Sequence, residues 1–286
     1  MRHPQVSIVL PTHNGSAFIR TAIQSVLAQT FTDWELLVID DGSSDDTAII
    51  VRQFTQMDER VRLIQNQNNL GLQKTLNKGL AMARGEYIAR IDDDDTWCNP
   101  RKLELQVAFL DKYRDHVLVG TQSIIVNQLG QAYNYSMPVD DRGIRKLLLR
   151  TACFVHSSVM FRKNMALKVG GYPETEDACH IEDHAMWLRL GLEGQLAIIP
   201  LYATTYNARA ESICGTHQQT QIWRDLILIK KFRKLYPAPL KSVLCVSWRM
   251  IRYQLIKRLP VSFVTLVRRM KTKYRQLKNG KPSNLA

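Results

Sequence analysis

The chain has 286 residues, 45% of them hydrophobic, enough for one large α/β domain with an appendage and a sizeable core. Its five cysteines (Cys98, Cys153, Cys179, Cys214, Cys245) are scattered and form no CxxC pair, which argues against a zinc site or a disulfide framework and for reduced thiols in a cytosolic compartment. The net charge of +13 is uneven: residues 219–286 hold 17 Lys and Arg against one acid, Asp225, leaving 22 basic and 25 acidic residues in 1–218.

A body near −3 therefore carries a tail near +16, and an anionic partner belongs to the tail. The segment 1–6 has no signal-peptide pattern, and no apolar run approaches the roughly 18–20 residues of a transmembrane helix.

In chain order, residues 6–10 are apolar and β-branched and end at Pro11, the pattern of a buried parallel strand. Apolar pairs at Phe18/Ile19, Ala22/Ile23 and Val26/Leu27 predict a helix within 16–29. Residues 34–39 read as a second buried strand closed by Asp40-Asp41-Gly42-Ser43, and Ser44-Asp45-Asp46 supplies capping chemistry for a helix over 47–57. A third strand at 61–64, a helix at 72–83 and a fourth strand at 87–91 follow. This alternation predicts a parallel, doubly wound sheet. Beyond it the pattern loosens to a helix over 100–113, a strand over 117–126, an apolar strand over 154–161 and a helix over 181–192.

Two acidic turns end two of the strands, at the sheet edge where open α/β folds bind ligands. Asp40 and Asp41 can accept a hydrogen bond from a nucleobase N–H, with Gly42 permitting the turn; a plain capped αβ loop also fits. The run Asp92-Asp93-Asp94-Asp95 crowds four carboxylates, which a divalent cation would compensate and a solvated turn would tolerate. No GxGxxG or GxxxxGK[ST] is present, so neither a dinucleotide fingerprint nor a P-loop explains these turns.

The segments 6–15 (VSIVLPTHNG), 35–45 (ELLVIDDGSSD), 69–72 (NLGL) and 85–95 (GEYIARIDDDD), in this order, resemble family 2 inverting glycosyltransferases of the bacterial cell-surface polysaccharide type. The resemblance covers about 5–210. It implies the GT-A nucleotide-diphospho-sugar transferase fold over 1–218, with 219–286 as a basic amphipathic helical extension. It further implies a metal-dependent hexosyl transfer from a nucleotide sugar, UDP-linked, to a hydroxyl of a glycan or lipid-linked acceptor.

Carried over by position, Pro11, Thr12 and Asn14 match the first nucleotide-contacting loop, and Asp41 beside Asp40 matches the acid that meets the base. Asp92-Asp93-Asp94 matches the DxD signature, with Asp92 near ribose or metal and Asp94 or Asp95 ligating Mn²⁺ or Mg²⁺. Lys74 is a candidate phosphate contact, or simply an exposed helix lysine. Glu182-Asp183 ahead of Trp187-Leu188-Arg189 resembles the family's ED motif, which makes Asp183 the catalytic base and puts Glu182 on the acceptor side. By spacing alone the pair suits a helix dipole. His156, in a polar interruption of an apolar strand, resembles an acceptor-side residue, or is a core histidine bonded to backbone. His184 departs from the family pattern, which points to acceptor choice.

In the tail, Leu240, Leu244, Trp248, Ile251 and Leu255 form one stripe, with Arg249 and Lys257 opposite. Pro260 breaks the pattern before a second apolar stretch, 261–267, and the bases Arg268, Arg269, Lys271, Lys273 and Arg275. That combination suits peripheral attachment to an anionic membrane surface, at its cytoplasmic face. A helix packed back on the body is the alternative, and no nucleic-acid motif is present. Two other functions fit parts of the sequence: a sugar nucleotidyltransferase, which leaves Glu182-Asp183 unused, and a non-catalytic protein binding anionic lipid or nucleic acid.

Overall fold

The computed structural model describes residues 3–209 and 216–258. The second apolar stretch and the basic cluster from Arg268 onward lie outside the described residues. Strands β1 (Val6–Thr12), β2 (Trp34–Asp40), β3 (Val61–Gln65) and β4 (Tyr87–Arg90) alternate with helices α1 (Ile19–Leu27), α2 (Thr47–Met57) and α3 (Leu72–Met82). The four strands are parallel, in the order β3-β2-β1-β4. Both sheet faces are covered, which is why these strands are almost continuously apolar. Val9, Leu37 and Ile39 point into one core with Leu76 and Leu80 of α3, while Ile8, Leu10, Leu36 and Val38 point into the other with Ile23 and Phe54. Gly79 allows α3 to lie close, since a Cβ there would come 2.5 Å from Val9 Cγ1.

The chain continues through α4 (Lys102–Lys112), β5 (His116–Val126), β6 (Ala132–Tyr135), α5 (Asp141–Leu148), β7 (Met160–Arg162), α6 (Lys163–Lys168), α7 (Glu182–Glu193) and β8 (Gln195–Asn207). β7 inserts antiparallel between β4 and β5, and β8 lies parallel to β5, so the full sheet is mixed though mostly parallel. Two elements differ from the sequence reading. Residues 154–161 are not one strand: His156–Ser158 form a 3-10 turn, and only Met160–Arg162 pair. The 13-residue β8 was not expected from sequence, because Pro200 interrupts it. The sheet absorbs that break as a bulge, with Thr121 opposite Ile199 and Gln122 opposite Tyr202.

Two further helices, α8 (Gln218–Phe232) and α9 (Pro239–Lys257), follow. The change of charge near 218 does not coincide with a break in packing. Ile222, Leu228, Ile229, Tyr236 and Val246 join the core cluster that contains Trp187 and Leu188 of α7, and Tyr236 Oη donates to the Leu188 carbonyl at 2.7 Å. The stripe on α9 instead faces outward, with Leu244 63%, Trp248 62% and Leu255 55% exposed. Among the described residues no helix is long and apolar enough to cross a membrane.

Candidate active site

The two acidic turns and the loop after β1 meet at the carboxyl edge of the parallel strands. Pro11 and Thr12 end β1, and Asn14 follows in the left-handed region (φ 54°), which asparagine tolerates better than most residues. Its Oδ1 accepts from the backbone N–H of Ser44 at 2.9 Å, and its own N–H donates to Ser43 Oγ at 2.9 Å. The first loop and the Asp40–Ser43 turn are thereby tied together.

Asp40 accepts from the Ser43 N–H at 3.0 Å and from Gln65 Nε2 at 3.1 Å. Asp41 is more heavily used: Oδ1 accepts from Asn66 Nδ2 at 2.7 Å and the Leu70 N–H at 2.9 Å, and Oδ2 from the Gly71 N–H at 2.9 Å. The carboxylate therefore folds the 66–71 loop around itself. A carboxylate has roughly four acceptor positions, and these three bonds fill most of them at a residue 4% exposed. Lys74 is exposed on α3. Lys78, one turn further along, reaches Asn66 Oδ1 at 2.5 Å and so joins the Asp41 network.

The four consecutive acids have four different environments. Asp92 accepts from buried Arg90 and from Ser157 Oγ. Burial works against its ionisation, but the Arg90 charge overcomes this and holds its carboxyl below the usual range. Asp93 accepts from Thr12 Oγ1 at 2.6 Å, and burial, with repulsion from Asp94 and Asp92, pushes it up to about 6. Asp94 is also raised, by burial and the charge of Asp92, and Arg209 grips its Oδ2 through Nε at 2.9 Å and Nη2 at 2.6 Å. Asp95 is fully buried, accepting from Ser157 Oγ at 2.5 Å and the Asn207 N–H at 3.0 Å. It points into the protein and orders the turn, whereas Asp92 and Asp94 keep partial exposure.

Among the described residues no three His, Cys, Asp or Glu side chains converge to enclose a metal. A hard ion such as Mg²⁺ or Mn²⁺ commonly takes one or two carboxylates and completes its shell with phosphate oxygens and water. Crowded, desolvated carboxylates that resist ionisation together have the donor chemistry such an ion needs.

Glu182 and Asp183 open α7. Glu182 is buried with Oε2 unpartnered, and desolvation, then the charge of Asp183, lifts its carboxyl to about 8. Asp183 is half-buried; its Oδ1 accepts from the His184 N–H at 2.6 Å, and burial raises its proton affinity. The Asp92 charge raises both, so the acid run and the α7 pair share one electrostatic site.

His156 Nε2 hydrogen-bonds Tyr172 Oη at 3.0 Å, with its ring 5.7 Å from that of Trp187. Burial and the Arg90 charge push it down to about 3, so it is neutral. His184, expected to reflect acceptor choice, instead turns away into the protein, where it is 3% exposed between α5 and α8.

Sequence reasoning missed Arg209, Arg90 and Ser157. Arg90 stands in the quoted segment 85–95, two residues before Asp92, and a lone cation in an apolar strand was the available signal. Arg209 had none, because β8 carries it back over the acid turn from 115 residues away and the Thr96–Thr205 bridge fixes that return.

Comparison with known proteins agrees with this architecture. The family described as glycosyl transferase family 2 matches residues 7–170, more than half of the chain. A Bacillus subtilis protein named putative glycosyltransferase EpsE is 36% identical over 193 residues, 67% of this chain and 68% of that protein. The Escherichia coli UDP-Glc:alpha-D-GlcNAc-diphosphoundecaprenol beta-1,3-glucosyltransferase WfgD is 40% identical over 122 residues, 43% of this chain and about half (47%) of that one. Among solved structures, S. aureus TarS 1-349 in complex with UDP-GlcNAc superposes with a TM-score of 0.67 at 16% identity, covering 90% of this chain and 77% of that one. A Pyrobaculum calidifontis mannosyltransferase in complex with GDP-Man and Mn²⁺ gives a TM-score of 0.62 at 17% identity, with 95% and 80% covered. A GT-A fold, these acidic turns and this family match lead to one conclusion: the chain belongs to glycosyl transferase family 2 and is a glycosyltransferase.

Proposed function

We propose that the protein moves a hexose, with inversion, from a UDP-linked donor to a hydroxyl of a glycan or lipid-linked acceptor in cell-surface polysaccharide synthesis. The observation that carries this reading is the pairing, across one electrostatic site, of a half-buried carboxylate on α7 with the acid turn after β4. The pathway is suggested by the names of the relatives EpsE and WfgD.

In this reading Pro11, Thr12 and Asn14 border the nucleotide, and Asp41 offers its remaining acceptor position to the base N–H while Asp40 braces the turn. Lys74 and Lys78 are the α3 cations nearest in sequence to that loop. Asp94 and Asp92 would hold Mn²⁺ or Mg²⁺, which when bound supplies positive charge at the departing diphosphate. Arg209, already on Asp94, adds a fixed cation at the same place, where preorganised charge favours the transition state. Asp95 stays a structural member of the turn.

Asp183 removes the acceptor hydroxyl's proton as that oxygen attacks the anomeric carbon. Its raised proton affinity brings it closer to the working pH, where a base is most effective. Glu182, protonated up to about 8, can donate a hydrogen bond to the acceptor, and His156 shapes that side as a neutral ring. The outward α9 stripe, on a tail near +16, seats the enzyme peripherally on the inner face of an anionic membrane.

Asp183→Asn tests the central assignment. An amide keeps the shape but cannot take the proton, so UDP binding should persist while sugar transfer falls by about 10²–10⁴. Near-normal transfer in this variant would overturn the assignment.

A further inference from the structure

A groove of about 500 Å³ lies between α5 and the turn that joins α8 to α9. Its walls are mainly apolar, from Pro138, Leu147 and Pro237, and three cations, Lys146, Arg150 and Lys241, line it with them. Both walls are pinned. On one side Pro138 packs against the first turn of α5, and Gly143 permits this, since a Cβ there would come 2.6 Å from Pro138 Cβ. On the other, buried Tyr236 donates its hydroxyl to the Leu188 carbonyl at 2.7 Å, and the Arg145 guanidinium lies 5.9 Å from its ring centre. The turn then runs Pro237-Ala238-Pro239, with Ala238 in the left-handed region at φ 57°. That conformation is uncommon for a residue with a Cβ, and a following proline restricts it further. Such strain persists where the surroundings impose it, most often at functional sites.

The charges are as unusual as the backbone. Residues 1–218 are net acidic, near −3, yet they bring Lys146 and Arg150 to this groove, beside Lys241 of the basic tail. Among the described residues none of the three is in an ion pair. The acids of α5 and α8 are committed elsewhere. Asp140 caps α5 through the Gly143 N–H, Asp141 pairs with Arg145, and Asp225 accepts from Arg249 and faces His184. Three like charges gathered on an apolar hollow repel one another, and an anion with several acceptor oxygens relieves that repulsion. The hollow also borders the outward stripe of α9: Lys241 stands three residues before exposed Leu244, on the same side of the helix.

We infer that this groove binds the phosphate head of an anionic membrane lipid. Lys146, Arg150 and Lys241 take the phosphate oxygens, and the start of the hydrocarbon chain lies against Pro138, Leu147 and Pro237 in continuation of the α9 stripe. The inference rests on the membrane attachment proposed above and gives it a discrete site, formed by elements that carry none of the acidic turns. Diffuse attraction of a basic tail to an anionic surface needs no groove and no particular residue. Fixed cations around an apolar hollow instead recognise one phosphate joined to a hydrocarbon, and the volume falls within the roughly 300–1,000 Å³ of small-molecule sites.

Calorimetry on the full chain tests this with three soluble probes: dodecyl phosphate, dodecyl maltoside and inorganic phosphate. Dodecyl phosphate should bind at least about tenfold more tightly than inorganic phosphate, because its chain adds apolar burial, and dodecyl maltoside should not compete with it. Lys146→Gln, Arg150→Gln and Lys241→Gln should each weaken dodecyl phosphate about fivefold, and all three together about a hundredfold. UDP affinity and the thermal melt should stay as in the parent, since Lys146 and Lys241 are exposed and Arg150 is half-buried. The Ala238 backbone N–H should shift in the NMR spectrum when dodecyl phosphate is added to the parent, and not in the triple variant.

A triple variant that binds dodecyl phosphate as the parent does overturns the inference. Equal binding of inorganic and dodecyl phosphate also overturns it, by reducing the groove to a free-anion site. Vesicle sedimentation separates the groove from the membrane reading. Trp248→Ser with Ile251→Ser strips the stripe and leaves the groove residues in place. It should lose sedimentation with vesicles of phosphatidylcholine and phosphatidylglycerol, while dodecyl phosphate affinity stays within about twofold. If the parent sediments with no vesicle yet binds dodecyl phosphate through the three cations, the membrane seating fails and the phosphate-lipid site stands. If the parent sediments but the triple variant binds dodecyl phosphate normally, the groove inference fails alone.

Discussion

A chain ending at residue 216 should not fold, whereas one ending at residue 238 should. The shorter cut removes α8 and α9, and with them Ile222, Leu228, Ile229, Tyr236 and Val246, each 4% exposed or less. At about 1.5–3 kcal/mol for each buried side chain, their burial is worth roughly 8–15 kcal/mol, an upper bound because unfolded chains are partly compact. That is as large as the whole stability of an ordinary domain, about 5–15 kcal/mol. The same cut strips His184 of Asp225 and the Leu188 carbonyl of the Tyr236 hydroxyl.

Ending at residue 238 keeps α8 and, among the described residues, removes α9 and Arg258. Among those residues the loss is then the buried Val246, about 1.5–3 kcal/mol, the partly buried Met250 and Tyr253, and the Arg249 partner of Asp225, while Asp225 keeps His184. Urea titrations followed by circular dichroism, with UDP calorimetry on each chain, measure both effects. The longer chain should unfold cooperatively at a lower midpoint and still bind UDP. Cooperative unfolding of the 1–216 chain at the parent's midpoint would refute the claim that these helices complete the core.

Asp94→Ala should abolish Mn²⁺-dependent UDP binding with the thermal melt unchanged, and full activity in excess EDTA would reject a metal at this turn. Asp95→Ala should instead lower the melting temperature, because it leaves the Asn207 N–H without its acceptor and Ser157 with only the longer contact to Asp92. Glu182 binds a proton in the folded state up to about 8 but only to its ordinary value of 4.5 when unfolded. Its contribution is fully present below about pH 4.5 and is lost as pH rises through about 8. Glu182→Gln should therefore gain stability relative to the parent between pH 5 and 8, and parallel stability curves would contradict the burial argument. Leu244→Asp with Trp248→Asp should abolish sedimentation with anionic vesicles at low salt while UDP binding persists; equal binding to neutral and anionic vesicles would remove the electrostatic part of that reading.

Much of the molecule was legible from local pattern. Strands β1 to β4 and their helices could be read because each is a short-range signal: β-branched runs buried on both faces, helical periodicity, and turn residues at the joins. The acidic turns were legible for the same reason, since strand order in a parallel sheet brings consecutive carboxyl ends to one edge. The α9 stripe, too, was visible as spacing. What local pattern could not supply was the partner of each charge. Four adjacent aspartates look alike in the sequence. Tertiary contacts sort them: Arg90 holds Asp92, Thr12 meets Asp93, Arg209 returns on β8 to Asp94, and Asp95 is buried on Ser157 and Asn207.

The tail makes the same point. Its charge separates it from the body, yet charge is a surface property and packing is decided by buried apolar area. Local pattern was enough for the four parallel strands, their acidic edge and the family, all carried by residues near one another in the chain. Which acids are buried, what each is paired with, and the reach of a helix from the basic tail to His184 beside Asp183 come from tertiary packing alone. Burial and charge pairing depend on what comes from far along the chain, and both set where a proton resides.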